Sequence, residues 1–273
     1  MNPAAGSAVH PGDDLARRPE GAVPFTLSHP AAVLPFARGP LVPSALVIGA
    51  MAPDLPYFAF LMEYRGVTHR QPWAFPAALG IGLAAYAVFH LCWKRPLIAL
   101  SPSWLRRRLP APGPAFTRWV LPSLLFGTAT HLFWDAFTHS AHGFTGLLPW
   151  LVTHSYAGLP VHKWLQYGSG AGGALFICWW LARWARTTPP RADAPPGLSP
   201  TTRRRVLAWS AAATALGGLL GAVTLVDPAE QSPASTLYIA VVNGVLSTVA
   251  TAALALTVYS LWWHRSAAPG SRP

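Results

Sequence analysis

The sequence predicts an all-α, polytopic transmembrane helical bundle with a broken or re-entrant N-terminal helical hairpin, and three observations carry that prediction. Of its 273 residues, 52% are hydrophobic and only 11% charged, against roughly 25% charged in an ordinary soluble domain. Five windows of about 20 residues carry few or no charges, a length that crosses a hydrocarbon core of about 30 Å: Trp73 to Trp93, Trp119 to Phe137, Trp164 to Trp184, Val206 to Val226 and Thr236 to Trp263. The net charge of +11 is gathered in two loops between these windows.

Residues 1–23 are polar and Gly/Pro-rich, with Asp13, Asp14, Arg17, Arg18 and Glu20 and no apolar core; they read as a disordered tail without a cleavable signal peptide. Pro24 to Ala37 is apolar but too short to cross as a helix, so a re-entrant or interfacial placement is expected. Leu41 to Met62 is longer, and Pro53 and Pro56 break it around Asp54. Broken helices at membrane depth are tolerated where they line a protein-buried or wet cavity, so this break points toward a site. Glu63 to Gln71 reads as a short loop. The membrane domain, residues 24–186, carries all these features; a Pro-rich linker is expected over 187–204, a pair of transmembrane helices over 205–264, and a tail over 265–273.

The first basic loop is bracketed by Lys94, Arg95, Arg106, Arg107, Arg108 and Arg118, and the second by Arg183, Arg186, Arg191, Arg203, Arg204 and Arg205. Lys and Arg collect in cytoplasmic loops, so both loops should be cytoplasmic and Thr138 to His162, without Lys or Arg, outside. Asp227 and Glu230 then fall outside and Arg265 inside. The expected partners are the bilayer and anionic lipid headgroups at the basic loops; nucleic acid is not expected. Leu100 to Arg108 should form a brief interfacial helix with Trp104 and Leu105 toward lipid. The 13 tryptophans at span ends are interfacial anchors. Gly217, Gly218 and Gly221 favour close helix packing. Cys92 and Cys178 lie inside spans, which leaves neither a disulfide framework nor a Cys-type zinc motif.

The chemistry concentrates in one stretch. His131, Asp135 and His139 stand at i, i+4 and i+8 and so share one helix face. An ionisable group among apolar residues costs about 2.5 to 3.5 kcal/mol on insertion scales, which marks it as functional by default. His29, Asp54 and His69 come from three other segments that the loop charges place near the same end. His29, Asp54, His69, His131 and Asp135 are therefore the candidate metal ligands, and His139 is the candidate catalytic proton-transfer group, with His142 as a further one. Imidazoles with one or two carboxylates suit a divalent metal: zinc first, with iron or manganese as alternatives. Simpler roles compete. His131 and Asp135 can fasten two spans as a hydrogen-bonded pair, Asp54 can cap a helix, and His29 can cap or sit at the interface. His90 reads as interfacial, and His154 and His162 as outer-loop residues.

Several motifs carry a resemblance. The Pro24-Phe-Thr-Leu-Ser-His29-Pro start, Gly49-Ala-Met-Ala-Pro-Asp54, Thr68-His69, Gly127 to His139 and Leu159-Pro-Val-His-Lys-Trp-Leu-Gln-Tyr-Gly-Ser together resemble a family of bacterial membrane proteins, the domain of unknown function numbered four-one-eight-four. This implies a multi-pass protein of the bacterial inner (plasma) membrane. A more distant similarity is to inner-membrane proteins described as metal-dependent hydrolases, which carry an early His, a Pro-Asp-x-Asp-His element, a His-Arg-Gly-x-Thr-His-Ser loop and a Ser-His-x-x-x-Asp helix. These fall on His29, on Asp54, on Arg65 to His69, and on His131 with Asp135. The chain departs where Leu55-Pro56-Tyr57 follows Asp54 and where Tyr64 replaces the first His of the loop. The similarity implies a membrane hydrolase of unknown substrate, a lipid-linked phosphoester being the suggestion from depth; a non-catalytic scaffold and a proton-relay transporter are the alternatives.

Overall fold

The computed structural model describes residues 25–70, 72–110, 114–139, 144–224 and 233–266. The tail expected over 1–23, residues 267–273 of the tail expected over 265–273, and His142, Asp227 and Glu230 lie outside the described residues, while Arg265 and Ser266 end a helix instead. The fold is all-α apart from one two-residue hairpin. Among the described residues three helices are long and apolar enough to cross a membrane: Ala74–Leu100, Pro200–Thr224 and Thr236–Ser266. Their 27, 25 and 31 residues rise about 40 Å or more at roughly 1.5 Å per residue.

The N-terminal hairpin is built from tight turns. Phe25–Ala32 is a 3-10 helix with Pro30 inside it, and a second 3-10 turn covers Leu34–Phe36. Helix α1 (Pro43–Met51) then gives way at Pro53 to a 3-10 segment, Ala52–Ala59. Proline removes a helix donor, and the tighter winding accommodates it. The chain reverses at Phe60, held in the left-handed region at φ 58°. The expected loop over Glu63 to Gln71 is instead partly helical, a 3-10 turn at Met62–Tyr64 followed by α2 (Arg65–His69).

Helix α3 (Ala74–Leu100) is longer than the window Trp73 to Trp93, because a π-turn over Val88–Trp93 carries it on through Lys94 and Arg95. After the short α4 (Ser103–Arg106), where Trp104 is exposed, α5 (Val120–Thr138) crosses the centre of the molecule. It packs on α1 at backbone distance, since a Cβ at Gly49 would meet the Leu124 carbonyl and one at Gly127 the Leu46 carbonyl. Thr128 Oγ1 donates to Gly49 O, and Ser123 Oγ accepts from Val42 N. Buried Ala45, Tyr86, Val120 and Leu124 form the core beside this seam.

Short helices α6 (Phe144–Leu147) and α7 (Trp150–Thr153) lead to the hairpin β1 (Ser155–Tyr156) and β2 (Leu159–Pro160). Its turn residues Ala157 and Gly158 both have positive φ, the backbone that a two-residue hairpin turn requires. Helix α8 (Val161–Thr187) follows. His162, expected in an outer loop, is buried in the first turn of α8 with Nδ1 on Leu151 O; the hairpin folds the chain back and starts the helix before it.

The Pro-rich segment is fixed rather than free. Arg191 N donates to Arg107 O, Leu198 N to Ala99 O and Arg106 Nε to Pro195 O, so the two basic loops lie together at one end. Helix α9 begins at Pro200, inside the expected linker, and pairs with α10 (Pro233–Ser266). Side chains of Thr251, Thr248 and Ser247 occupy the space over Gly217, Gly218 and Gly221, which is the close packing those glycines predict. Leu216, Leu219, Val223, Leu254 and Val258 point outward, the face that lipid would cover. Helix α10 is anchored to α3 by Tyr259 Oη on Pro96 O and Trp93 Nε1 on Thr257 Oγ1.

Candidate metal centre

The site forms at the end of the molecule remote from the basic loops. The last two turns of α5 supply His131, Asp135 and its C-cap His139; the 3-10 segment after α1 supplies Asp54; the last turn of α2 supplies His69; the N-terminal 3-10 helix supplies His29. One ligand atom from each of Asp54, His69, His131 and Asp135 lies within 4.8 Å of every other. His69 Nε2 is 3.1 Å from Asp54 Oδ1 and 3.5 Å from Asp135 Oδ2, and His131 Nε2 is 3.5 Å from the same two oxygens. Donors around a tetrahedral zinc at about 2.0 to 2.1 Å stand about 3.3 to 3.5 Å apart, so the spacing fits a cation of that size.

Proton bookkeeping sharpens the fit. His131 Nδ1 lies 2.8 Å from the carbonyl of Ala50, which can only accept, so that nitrogen carries the hydrogen and Nε2 turns its lone pair inward. His69 Nδ1 lies 2.8 Å from Thr68 Oγ1, a hydroxyl that can donate to it, and its Nε2 lies 3.1 Å from the Asp54 carboxylate, to which it donates when no cation is bound. The inward lone pair of His131 thus faces two buried carboxylates that share one His69 hydrogen, a group that added positive charge, as a cation or as protons, would hold together. His131 Nε2 is fully buried and has no hydrogen-bond partner. Thr26 Oγ1 donates to Asp54 Oδ2 at 2.6 Å, which fixes the carboxylate from outside, an arrangement that metal ligands commonly show. Asp54 is not the cap of its segment, whose N-cap is Met51; its oxygens meet Thr26, His69 and His131 instead.

His29 stands beside this group of four. Its ring stacks on His131 at 3.9 Å and its Nε2 is 3.6 Å from Asp135 Oδ1. Burial, reinforced by neighbouring His131, pushes the His29 imidazole down from 6.5 to about 4 against the pull of Asp135, so it is neutral at physiological pH. His139 Nδ1 is 3.6 Å from Asp135 Oδ2, and burial holds this imidazole below its ordinary value, against Asp135. Both line a cavity of about 140 Å³ that opens off the cluster, with Ser28, Trp134, Gln166 and Gly173 on its walls. His90, on the other side of the molecule, bonds Ser44 Oγ and takes no part.

Residues 23–261 match the model of a domain of unknown function (DUF4184). The chain belongs to the DUF4184 family. The match runs through α9 and most of α10, so the C-terminal pair is part of what defines DUF4184 as well as the site-bearing half. No curated protein and no solved structure matches this DUF4184 chain.

Proposed function

We propose that the protein is a multi-pass protein of the bacterial plasma membrane, its Asp54, His69, His131 and Asp135 side chains holding one divalent cation, zinc first, in a metal-dependent hydrolase of an amphiphilic phosphoester. The observation that carries this reading is the His131 imidazole, whose Nδ1 is committed outward to Ala50 O while its Nε2 lone pair joins His69 Nε2 and two carboxylates in one buried group. A cation bound there supplies Lewis-acid chemistry to a water and to the scissile group. Asp135 bridges toward His29 and His139, so His139 is placed to move a proton at the cavity wall. The shared end of the two basic loops, remote from the cluster, supports a cytoplasmic position for the loops against anionic headgroups and an extracytoplasmic one for the site. The Val120–Thr138 and Val161–Thr187 helices, with the three long apolar ones, make up the five spans.

Elemental analysis of detergent-purified protein is expected to give close to one zinc, iron or manganese per chain, lost in His131→Ala and Asp135→Ala, with phosphoester hydrolysis abolished by chelation and restored by metal. A metal-free wild type of full stability overturns the reading. Sidedness is checked by labelling single cysteines on a background lacking Cys92 and Cys178. Ser155→Cys should react from outside and Ser199→Cys only from inside.

A further inference from the structure

Two buried polar atoms near the metal centre have no partner and are not ligands: the Tyr57 hydroxyl and Arg65 Nε. Tyr57 is 2% exposed, its ring lies parallel to His69 at 6.0 Å, and its side chain lines the cavity beside Asp54. The Arg65 guanidinium opens α2, one turn before His69, and its charge acts on both Tyr57 and His139. The guanidinium can donate to the Tyr57 oxygen but has no lone pair for the hydroxyl hydrogen, so that hydrogen and Arg65 Nε still need an acceptor. An orphaned buried donor costs about 1 to 3 kcal/mol, so two converging on one place call for an acceptor from outside the chain. The opposite wall adds positive charge, because Lys163 Nζ reaches Gln166 Oε1 there. A cation balanced by Asp54 and Asp135 leaves the Arg65 guanidinium acting on the Tyr57 hydroxyl, a pairing of charge and donor that suits an anion.

We propose that Tyr57 and Arg65 form an oxyanion subsite beside the metal centre that receives a phosphoryl oxygen of the substrate. The subsite deepens the hydrolase reading and rests on it for the substrate's reacting group. Tyr57 and Arg65 thereby orient the phosphoryl group toward the His131/Asp135 face and against His139. Arginine suits phosphate through its planar fork, and the tyrosine hydroxyl adds a second, neutral donor.

The test measures inorganic phosphate binding to full-length protein loaded with zinc, by calorimetry, beside Tyr57→Phe and Arg65→Gln, with metal content measured in each sample. Wild type should bind phosphate. Tyr57→Phe should weaken binding about tenfold and Arg65→Gln more, the loss expected for a hydrogen bond to a charged group, while metal content stays at the wild-type value. Tyr57→Phe removes a hydroxyl whose hydrogen has no acceptor in the chain, so it should melt close to the wild-type temperature. Phosphate affinity equal in all three proteins, or none in metal-loaded wild type, overturns the subsite and leaves the metal reading intact. A wild type that takes up no metal overturns the hydrolase reading instead; the subsite then stands if phosphate still binds through Tyr57 and Arg65, and falls if it does not. Competition by short-chain phosphatidic acid assigns the source of the oxyanion. Tighter binding than phosphate indicates a lipid headgroup and equal binding a soluble phosphoester, and both sustain the pair as its receptor.

Discussion

The α9/α10 pair and the α1/α5 seam with its attached segments are both close-packed through glycine, yet they handle their polar groups in opposite ways. In the pair, hydroxyls turn back onto their own helix: Thr224 on Leu220 O, Thr248 on Gly244 O, Thr257 on Ala253 O. Such bonds satisfy a hydroxyl in lipid and ask nothing of another segment. Ser260 Oγ, buried without a partner, and Tyr259 Oη, which donates to Pro96 O on α3, depart from this pattern. Around α5, polar groups reach across the chain instead: Thr26 to Asp54, His69 to Asp54, His131 to Ala50, His29 to Asp135. Bonds across segments alone would serve as glue; the α5 region differs in the excess of acceptors gathered at its centre. A group of acceptors and lone pairs that needs an added cation resembles a site.

The contrast can be broken by packing. Gly127→Val would drive a side chain into the Leu46 carbonyl and Ala50 N, at a cost of about 3 kcal/mol or more. Because Ala50 holds His131, metal should be lost along with thermal stability. Gly221→Val should destabilise comparably through Ser247 but leave the metal content of the surviving folded protein unchanged. Metal loss in both variants, or in neither, would erase the difference between the regions.

Acid provides a second handle, on metal-free protein. His29 has a folded pKa near 4 against an ordinary 6.5. Below 6.5 the unfolded chain binds the proton first, so the contribution is complete above pH 6.5 and is lost as pH falls toward 4. The effect is on the order of 2 to 3 kcal/mol. Thermal melts from pH 7 to 4 should show a falling midpoint, and His29→Phe should flatten that part of the curve. A smaller effect is expected for Thr26→Val, which removes the hydrogen bond holding Asp54. Competition with a chelator should show metal binding weakened about tenfold or more, with fold and packing of α9 and α10 unaltered.

Much of this site was legible because part of it is local. The i, i+4, i+8 placement of His131, Asp135 and His139 needs only helical geometry, and α5 delivers it. Asp54 was marked by its flanking prolines and His69 by loop topology, and both arrive at the cluster. His29 was expected as an equal ligand, but the structure stacks it on His131 outside the group of four, a distinction of a few ångströms that no periodicity encodes. Tyr57 left no sequence signal of its own and Arg65 only its place in the Arg65 to His69 motif, since being buried without a partner is a property of packing. His162 misled because a Lys-flanked His after a turn looks exposed, and the tight hairpin at Ala157 and Gly158 buries it. The π-turn that lengthens α3 was equally silent, because Val88 to Trp93 has the composition of any apolar helix.

The central claim is that His131 serves a cation rather than a neighbouring helix. The most direct measurement is zinc content and melting temperature, taken together, for His131→Leu in its chelated and zinc-supplemented forms. Leucine removes the buried Nε2 that has no partner and keeps most of the volume, losing the one bond to Ala50 O at about 1 kcal/mol. The account predicts that zinc falls from about one per chain to near zero, that the wild-type rise in melting temperature on adding zinc disappears, and that the chelated variant melts close to chelated wild type. A variant that is strongly destabilised in the absence of metal, while wild type takes up no zinc and gains nothing from it, would contradict the claim.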